Sequence, residues 1–227
     1  MVLSTVDPSI LKVFGGYDSA TVQNAAILVQ GYTPAEHDYT NPDLRRLLGT
    51  PGSVLVGYAL TSTWMPLNEP SGEVVDRNAF WDSIGEADAP VIAVLKDVDS
   101  PARRGAIIGD GMTFTMSALG AIGAVVDGNA RDLPGIGDSG MHLWAMGQVP
   151  GHGPFHLIEH GVPVEIAGLV ITPGDILVCD GDGVTRVTPE MAADVAKACA
   201  AVREKESSMH RYFTAPDFDF EKWRRER

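Results

Sequence analysis

The stretch from Gly105 to Asp132 constrains the fold more than any other. GAII (105–108) reads as a short buried strand, GDG as a turn, MTFTMSALGAI as a short helix and AVVDG as a second buried strand. A helix linking two apolar strands is the signature of a βαβ crossover, because parallel neighbours need a connection that carries the chain back along the sheet. The expectation is a mixed α/β architecture with at least one parallel pair. Parallel neighbours share a C-terminal edge, and ligands bind α/β sheets along that edge. Asp110 leaves the first strand there, and Arg131 and Asp132 leave the second.

Short elements surround this unit. A helix is expected over Ala20–Gln30, capped by Asp18 or Ser19. VLVGYALTS (54–62) and VIAVL (91–95) read as strands. Between them a polar excursion runs from Met65 to Pro90, in which Phe80, Trp81 and Ile84 keep helical spacing. After Arg131 the chain turns β-rich, with HLWAM, VPVEI, LVI, ILVC and VTRV as short strands. TPGD (172–175) and DGDG (180–183) are turns, the second a hairpin tip. A last helix is expected over about 189–211, with Thr188 as cap and Pro189 in its first position. The tail, 214–227, is too polar and broken for core, and its aromatics are expected to dock on a neighbouring surface. No low-complexity linker or repeat divides the 227 residues, so one domain is expected over 1–227.

Acidic residues outnumber basic ones 30 to 17, a formal charge of −13. That balance argues against a nucleic-acid or anionic-membrane surface, which needs clustered Lys and Arg. No run reaches the roughly 18 to 20 apolar residues of a membrane helix. MVLSTVDPSILKVFGGYDS lacks the basic start and apolar run of a secretory signal. Cys179 and Cys199 are too few for a disulfide framework and read as reduced thiols, so a cytoplasmic protein is expected.

The crossover places chemistry at its rim. Backbone N–H groups of Gly111 and Met112, at the start of the helix, form a cradle for an anion. Two carboxylates beside an arginine suit a hard divalent metal and an anionic substrate, since carboxylates hold Mg²⁺ and arginine grips carboxylates bidentately. An ordinary Arg–Asp surface pair beside a turn aspartate accounts for the same residues equally well.

Asp110, twenty intervening residues and then Arg131-Asp132 resemble the Asp-x20-Arg-Asp motif of the RraA-like family. That family includes the metal-dependent 4-hydroxy-4-methyl-2-oxoglutarate and 4-carboxy-4-hydroxy-2-oxoadipate aldolases. GLVITPGDILVCDGDGVTRVTPE (168–190) is similar to the family's PGD turn and DGV hairpin. The resemblance covers roughly residues 90–206; the N-terminal third is only loosely similar, and the 65–90 excursion is longer than the family usually carries. It implies an αββα sandwich around a central β-rich core, of the swivelling β/β/α type. It also implies a class II pyruvate aldolase, a lyase cleaving a 4-hydroxy-2-oxo acid to pyruvate with Mg²⁺ or Mn²⁺, and oxaloacetate decarboxylation as a related reaction. Asp132 then binds the metal directly and Asp110 through water. Arg131 contacts the oxo-acid oxygens, and the amides of Gly111 and Met112 receive its carboxylate. The family adds a glutamate from the last helix of an adjacent subunit, also through water, and the match falls on Glu206. Trimers or hexamers with sites between subunits follow from the same resemblance.

Val195, Cys199, Val202, Glu206 and Met209 step by three or four, so Glu206 continues an apolar stripe while Glu204 falls off it. A catalytic role and an inter-subunit salt bridge both fit that position. The family's ribonuclease E regulators depart from the aldolase pattern at the metal-binding aspartate. Retention of Asp110, Arg131 and Asp132 therefore favours an enzyme over the alternative, an acidic regulator that binds a ribonuclease or another protein.

Other patterns mislead. HLIEH (156–160) spells a zinc-peptidase template, but Gly151, Gly153, Pro154, Gly161 and Pro163 leave it under two helical turns, so a loop is expected. His152 beside it has no assigned role. GIGDSG (135–140) spells a dinucleotide fingerprint, yet Pro134 precedes it and a β-like segment follows, so it too reads as a loop. Asp180 and Asp182 lack the later ligands of a calcium loop. Cys179 and Cys199 read as core.

Overall fold

The computed structural model describes residues 5–226. The N-terminal half holds α1 (Pro8–Phe14), α2 (Ser19–Gln30), a 3₁₀ turn at Ala35–His37, β1 (Arg45–Leu48), β2 (Leu55–Met65), α3 (Asn78–Gly85) and β3 (Val91–Asp97). The crossover follows as β4 (Ala106–Ile108), α4 (Asp110–Ala118) and β5 (Ala121–Ala130). Then come α5 (Leu133–Asp138), β6 (His142–Gln148), β7 (His156–His160), β8 (Val164–Ile166) and β9 (Leu169–Ile171). The chain ends with β10 (Ile176–Cys179), β11 (Val184–Val187), α6 (Ala192–Phe213) and α7 (Phe220–Arg225).

One sheet runs β1-β6-β5-β3-β2-β10-β11, and β8 and β9 form a separate hairpin. The pairs β2–β3, β3–β5, β4–β5 and β5–β6 are parallel. Two long strands change partners along their length. β2 pairs with β10 over Leu55–Tyr58 and with β7 over Ser62–Met65. β5 pairs with β3 up to Asp127 and with β4 at Asn129 and Ala130. Twisted strands that switch neighbours curl the sheet into a half-barrel, with helices packed around it. This is the mixed α/β class expected from the crossover.

Alternation along the central strands divides the core. In β3, Ala93 and Leu95 face one apolar cluster with Phe80, Ile84, Met116 and Ile136 of the helices, while Ile92 and Val94 face the β8–β9 hairpin. A third cluster packs α1, α2 and α6 on Tyr58 and β10. Cys179 and Cys199 are buried and unpaired. Burial pushes the Cys199 thiol up to about 11 and the Cys179 thiol well above its ordinary value, so neither is a thiolate at neutral pH.

Several sequence expectations need correction. Asp18 is the cap of α2, its Oδ1 accepting from the Thr21 amide at 2.7 Å, while Ser19 instead donates to Asp180. The last helix starts at Ala192, because Thr188–Met191 forms a separate turn closed by Met191 N–H to Thr188 O at 3.1 Å. HLIEH is a strand rather than a loop, pairing with the far half of β2. GIGDSG lies mostly in α5, with its glycines inside and after the helix rather than ahead of it. The tail carries α7, and its Trp223 ring lies 5.6 Å from Phe213 of α6. Among the described residues no helix is long and apolar enough to cross a membrane.

Candidate active site

The crossover delivers its residues to a cleft of about 270 Å³ at the C-terminal ends of β4 and β5. Gly109, Asp110, Gly111, Met112 and Arg131 line one side. Gly109 is the N-cap of α4 and offers no side chain to cap it, leaving first-turn amides to an outside acceptor. One expected amide is already engaged: Gly111 N–H donates to Oδ1 of Asp110 at 2.6 Å. The two-amide cradle is thereby reduced, with Met112 as the remaining member.

Asp132 borders the cleft through Arg131, whose Nε donates to Asp132 Oδ2 at 2.9 Å. Asp132 is the N-cap of α5 and lies at φ 57°, in the left-handed region that aspartate tolerates better than most residues. Two glycines make room for this arrangement. A Cβ at Gly109 would stand 3.3 Å from Arg131 Nε and from Asp132 Oδ2. A Cβ at Gly135 would lie 2.7 Å from Asp110 Cβ and 2.9 Å from its Oδ2. Asp110 is thus seated against α5, the helix that Asp132 precedes.

The donor set fits a hard divalent cation. Asp132 Oδ1 and Asp110 Oδ2 have no protein partner among the described residues. Two carboxylates, with water or substrate completing the shell, have the hard oxygen chemistry that a divalent cation takes.

Behind this rim a polar network fixes the approach to β4. Asp97 accepts from the amides of Asp99 (2.8 Å) and Arg103 (2.7 Å), and Arg103 Nε donates to Asp127 at 2.8 Å. Burial raises the Asp97 carboxyl above its ordinary value against the pull of those two amides.

Glu206 stands elsewhere within one chain. It is half-buried on α6, its Oε1 3.4 Å from Asn24 Nδ2, in a groove with Ile27, Val202 and Met209. The histidines separate as well. His156 Nε2 is 3.0 Å from Glu69, and His160 Nδ1 is 3.4 Å from Ser83 Oγ. His152 alone of the three lines the cleft.

Sequence reasoning missed the opposite wall, made by Arg77, His152, Pro154 and Phe155. Phe155 holds φ 67°, a strained position for a bulky residue, with its ring 5.0 Å from that of Trp64. The unusual length of the excursion and its Phe80–Trp81 aromatics, which with Trp64 suggest a reshaped pocket mouth, were the signals near Arg77, and neither named it.

A curled mixed sheet presenting two aspartates and an arginine at its parallel strand ends defines a mixed α/β protein with a charged cleft at one sheet edge. The sequence profile of the RraA-like family, described as Aldolase/RraA, matches residues 25–186, and the chain belongs to that family. A protein of Halalkalibacterium halodurans named "Putative 4-hydroxy-4-methyl-2-oxoglutarate aldolase" is 32% identical over 138 residues, 56% of this chain and 64% of that protein. An uncharacterized protein of Methanocaldococcus jannaschii is 33% identical over 88 residues, 38% of this chain and 42% of that protein. The chain therefore spans less than two thirds of either relative. The crystal structure of Streptomyces coelicolor RraAS2, described as an unusual member of the RNase ES inhibitor RraA family, superposes with a TM-score of 0.72 at 24% identity, covering 91% of this chain and 98% of that one.

Seating Asp110 against Gly135 leads to a testable result. Gly135→Ala is expected to lower kcat/KM for oxaloacetate by about 10- to 100-fold, since displacing a positioned group by an ångström costs that much. Alanine is the better helix former by about 1 kcal/mol, but its Cβ clashes with the root of Asp110, so the thermal midpoint should fall modestly rather than collapse. Unchanged kcat/KM in the alanine variant would show that Asp110 does not need its present seat.

Proposed function

We propose that the protein is a divalent-metal-dependent lyase that releases pyruvate from a 4-hydroxy-2-oxo acid, with oxaloacetate decarboxylation as a related reaction. The supporting observation is that Arg131, paired with Asp132, lines one cleft together with Asp110 and the uncapped start of α4. The named relative from H. halodurans points the same way.

Asp132, and Asp110 through water, are the residues to hold the cation. When bound, the cation supplies Lewis-acid stabilisation of negative charge developing on the substrate's 2-oxo oxygen. Arg131 adds a positive charge at that oxygen. The Met112 amide receives the C1 carboxylate at the helix terminus. Asp110 orients the water that takes the proton from the C4 hydroxyl. The C3–C4 bond then breaks, its electron pair passing to C3 to give the enolate of pyruvate, while C4 becomes a carbonyl. Protonation at C3 completes pyruvate. No lysine Schiff base is required. In this reading Glu206 joins the site from a second copy of the chain, within a homotrimer or homohexamer.

A metal-supplemented screen of 4-hydroxy-2-oxo acids and oxaloacetate, with pyruvate as readout, tests the proposal. Activity should vanish with EDTA and return with excess Mg²⁺ or Mn²⁺. The second reading, an acidic regulator, draws on the −13 charge and on a structural neighbour described as an unusual member of the RNase ES inhibitor RraA family. No turnover of any oxo-acid together with salt-sensitive ribonuclease binding would favour it and defeat the lyase.

A further inference from the structure

We infer that Arg77 is a specificity residue that receives a second carboxylate of the substrate, selecting dicarboxylic 2-oxo acids over monocarboxylic ones. The inference rests on the lyase reading for the placement of the oxo-acid head. Arg77 lines the same cleft as Asp110 and Arg131, on the wall formed by the 65–90 excursion and residues 152–155. Among the described residues its guanidinium has neither an ion pair nor a hydrogen bond, whereas that of Arg131 is tied to Asp132. Arg77 is exposed, so its unpaired guanidinium is open to an anion entering the cleft that Arg77 lines, in a chain of charge −13.

Its backbone is pinned from both sides. Val75 N–H donates to Leu157 O at 3.2 Å, tying the excursion to β7. Phe80 and Trp81 of α3 set their rings 6.1 Å from that of Trp64, which is fully buried. Arg77 is the N-cap residue of α3, between those two anchors. The forked guanidinium is matched to a carboxylate, and fixing its root lowers the entropy lost when it binds one. His152 on the same wall is less suited, because its Nδ1 is 2.7 Å from the Gly153 carbonyl. The cleft, roughly 270 Å³ and open to solvent, has room for a short acid.

Calorimetric titration in the presence of Mg²⁺ tests this without turnover. The probes are 2-oxoglutarate and 2-oxobutanoate, added to the wild type, Arg77→Ala and Arg77→Lys. The wild type should bind 2-oxoglutarate more tightly. Arg77→Ala should weaken 2-oxoglutarate by about 10- to 100-fold, the range of a hydrogen bond to a charged group, and leave 2-oxobutanoate unchanged. Arg77→Lys should restore part of the loss. Equal wild-type affinities, failure of both acids to bind, or parallel losses for both acids in Arg77→Ala would each overturn the inference. If the dicarboxylate preference holds while no oxo-acid releases pyruvate, the lyase reading fails and the subsite stands.

Discussion

Asp132→Ala is expected to abolish metal-dependent pyruvate release, lowering kcat/KM for oxaloacetate on the order of 10³-fold. Two losses combine. The proposed site loses the one carboxylate assigned to bind the cation directly, leaving donors that act only through water. Arg131 also loses the partner that fixes its guanidinium, now held at 2.9 Å, and a misplaced oxyanion donor is itself worth roughly 10²–10³-fold. Stability should respond far less. The Asp132 side chain is 43% exposed, and ion pairs of that exposure contribute about 0–1 kcal/mol. Alanine at φ 57° adds roughly 1–2 kcal/mol of strain that aspartate partly escapes through local hydrogen bonding. Asp132→Asn separates these contributions, since asparagine tolerates the left-handed region and can still accept from Arg131 but carries no charge for the metal. It should keep the denaturant midpoint and lose activity nearly as fully as alanine. An asparagine variant with wild-type kcat/KM at low Mn²⁺ would remove Asp132 from the metal site.

What could be read from the chain follows the distance over which each element is held. The β4–α4–β5 unit was visible because its pattern is contiguous and its strands lie next to each other in the sheet. β7 was hidden by the glycines and prolines around HLIEH. Its strand character comes from pairing Ser62 with His160 and Met65 with His156, about a hundred residues apart, which no local propensity reports. α5 was hidden by its own glycines. Gly135 belongs there because Asp110 packs where its Cβ would stand, so a site requirement overrides helix propensity. The rim triad was legible through spacing and resemblance together. The local bond from the Gly111 amide to Asp110 was not, since a motif does not state which of two acceptors wins a donor. Arg77 was the least legible. It reaches the cleft only through the Val75–Leu157 bridge and the aromatic contacts of α3 with Trp64, all of them long-range.

That aromatic anchor carries the second large effect, on stability. Trp64 is fully buried, donates from Nε1 to Ser62 Oγ at 2.8 Å, and meets the rings of Phe80, Trp81 and Phe155 at 6.1, 6.1 and 5.0 Å. Trp64→Ala should destabilise the protein by about 3–5 kcal/mol, through lost transfer free energy and the cavity left among rings that cannot all collapse into it. Against a total of roughly 5–15 kcal/mol, that alone can unfold the chain. Trp64→Phe is the informative companion, because it keeps a ring against Phe80 and Phe155 and removes the Nε1 donor with part of the volume. Guanidinium denaturation should place it between the wild type and alanine. The cleft wall should register the change too: with α3 and Phe155 loosened, the phenylalanine variant should weaken 2-oxoglutarate binding more than 2-oxobutanoate binding, as Arg77→Ala does. A phenylalanine variant that loses stability yet keeps the wild-type preference between the two acids would show that Arg77 is positioned without Trp64.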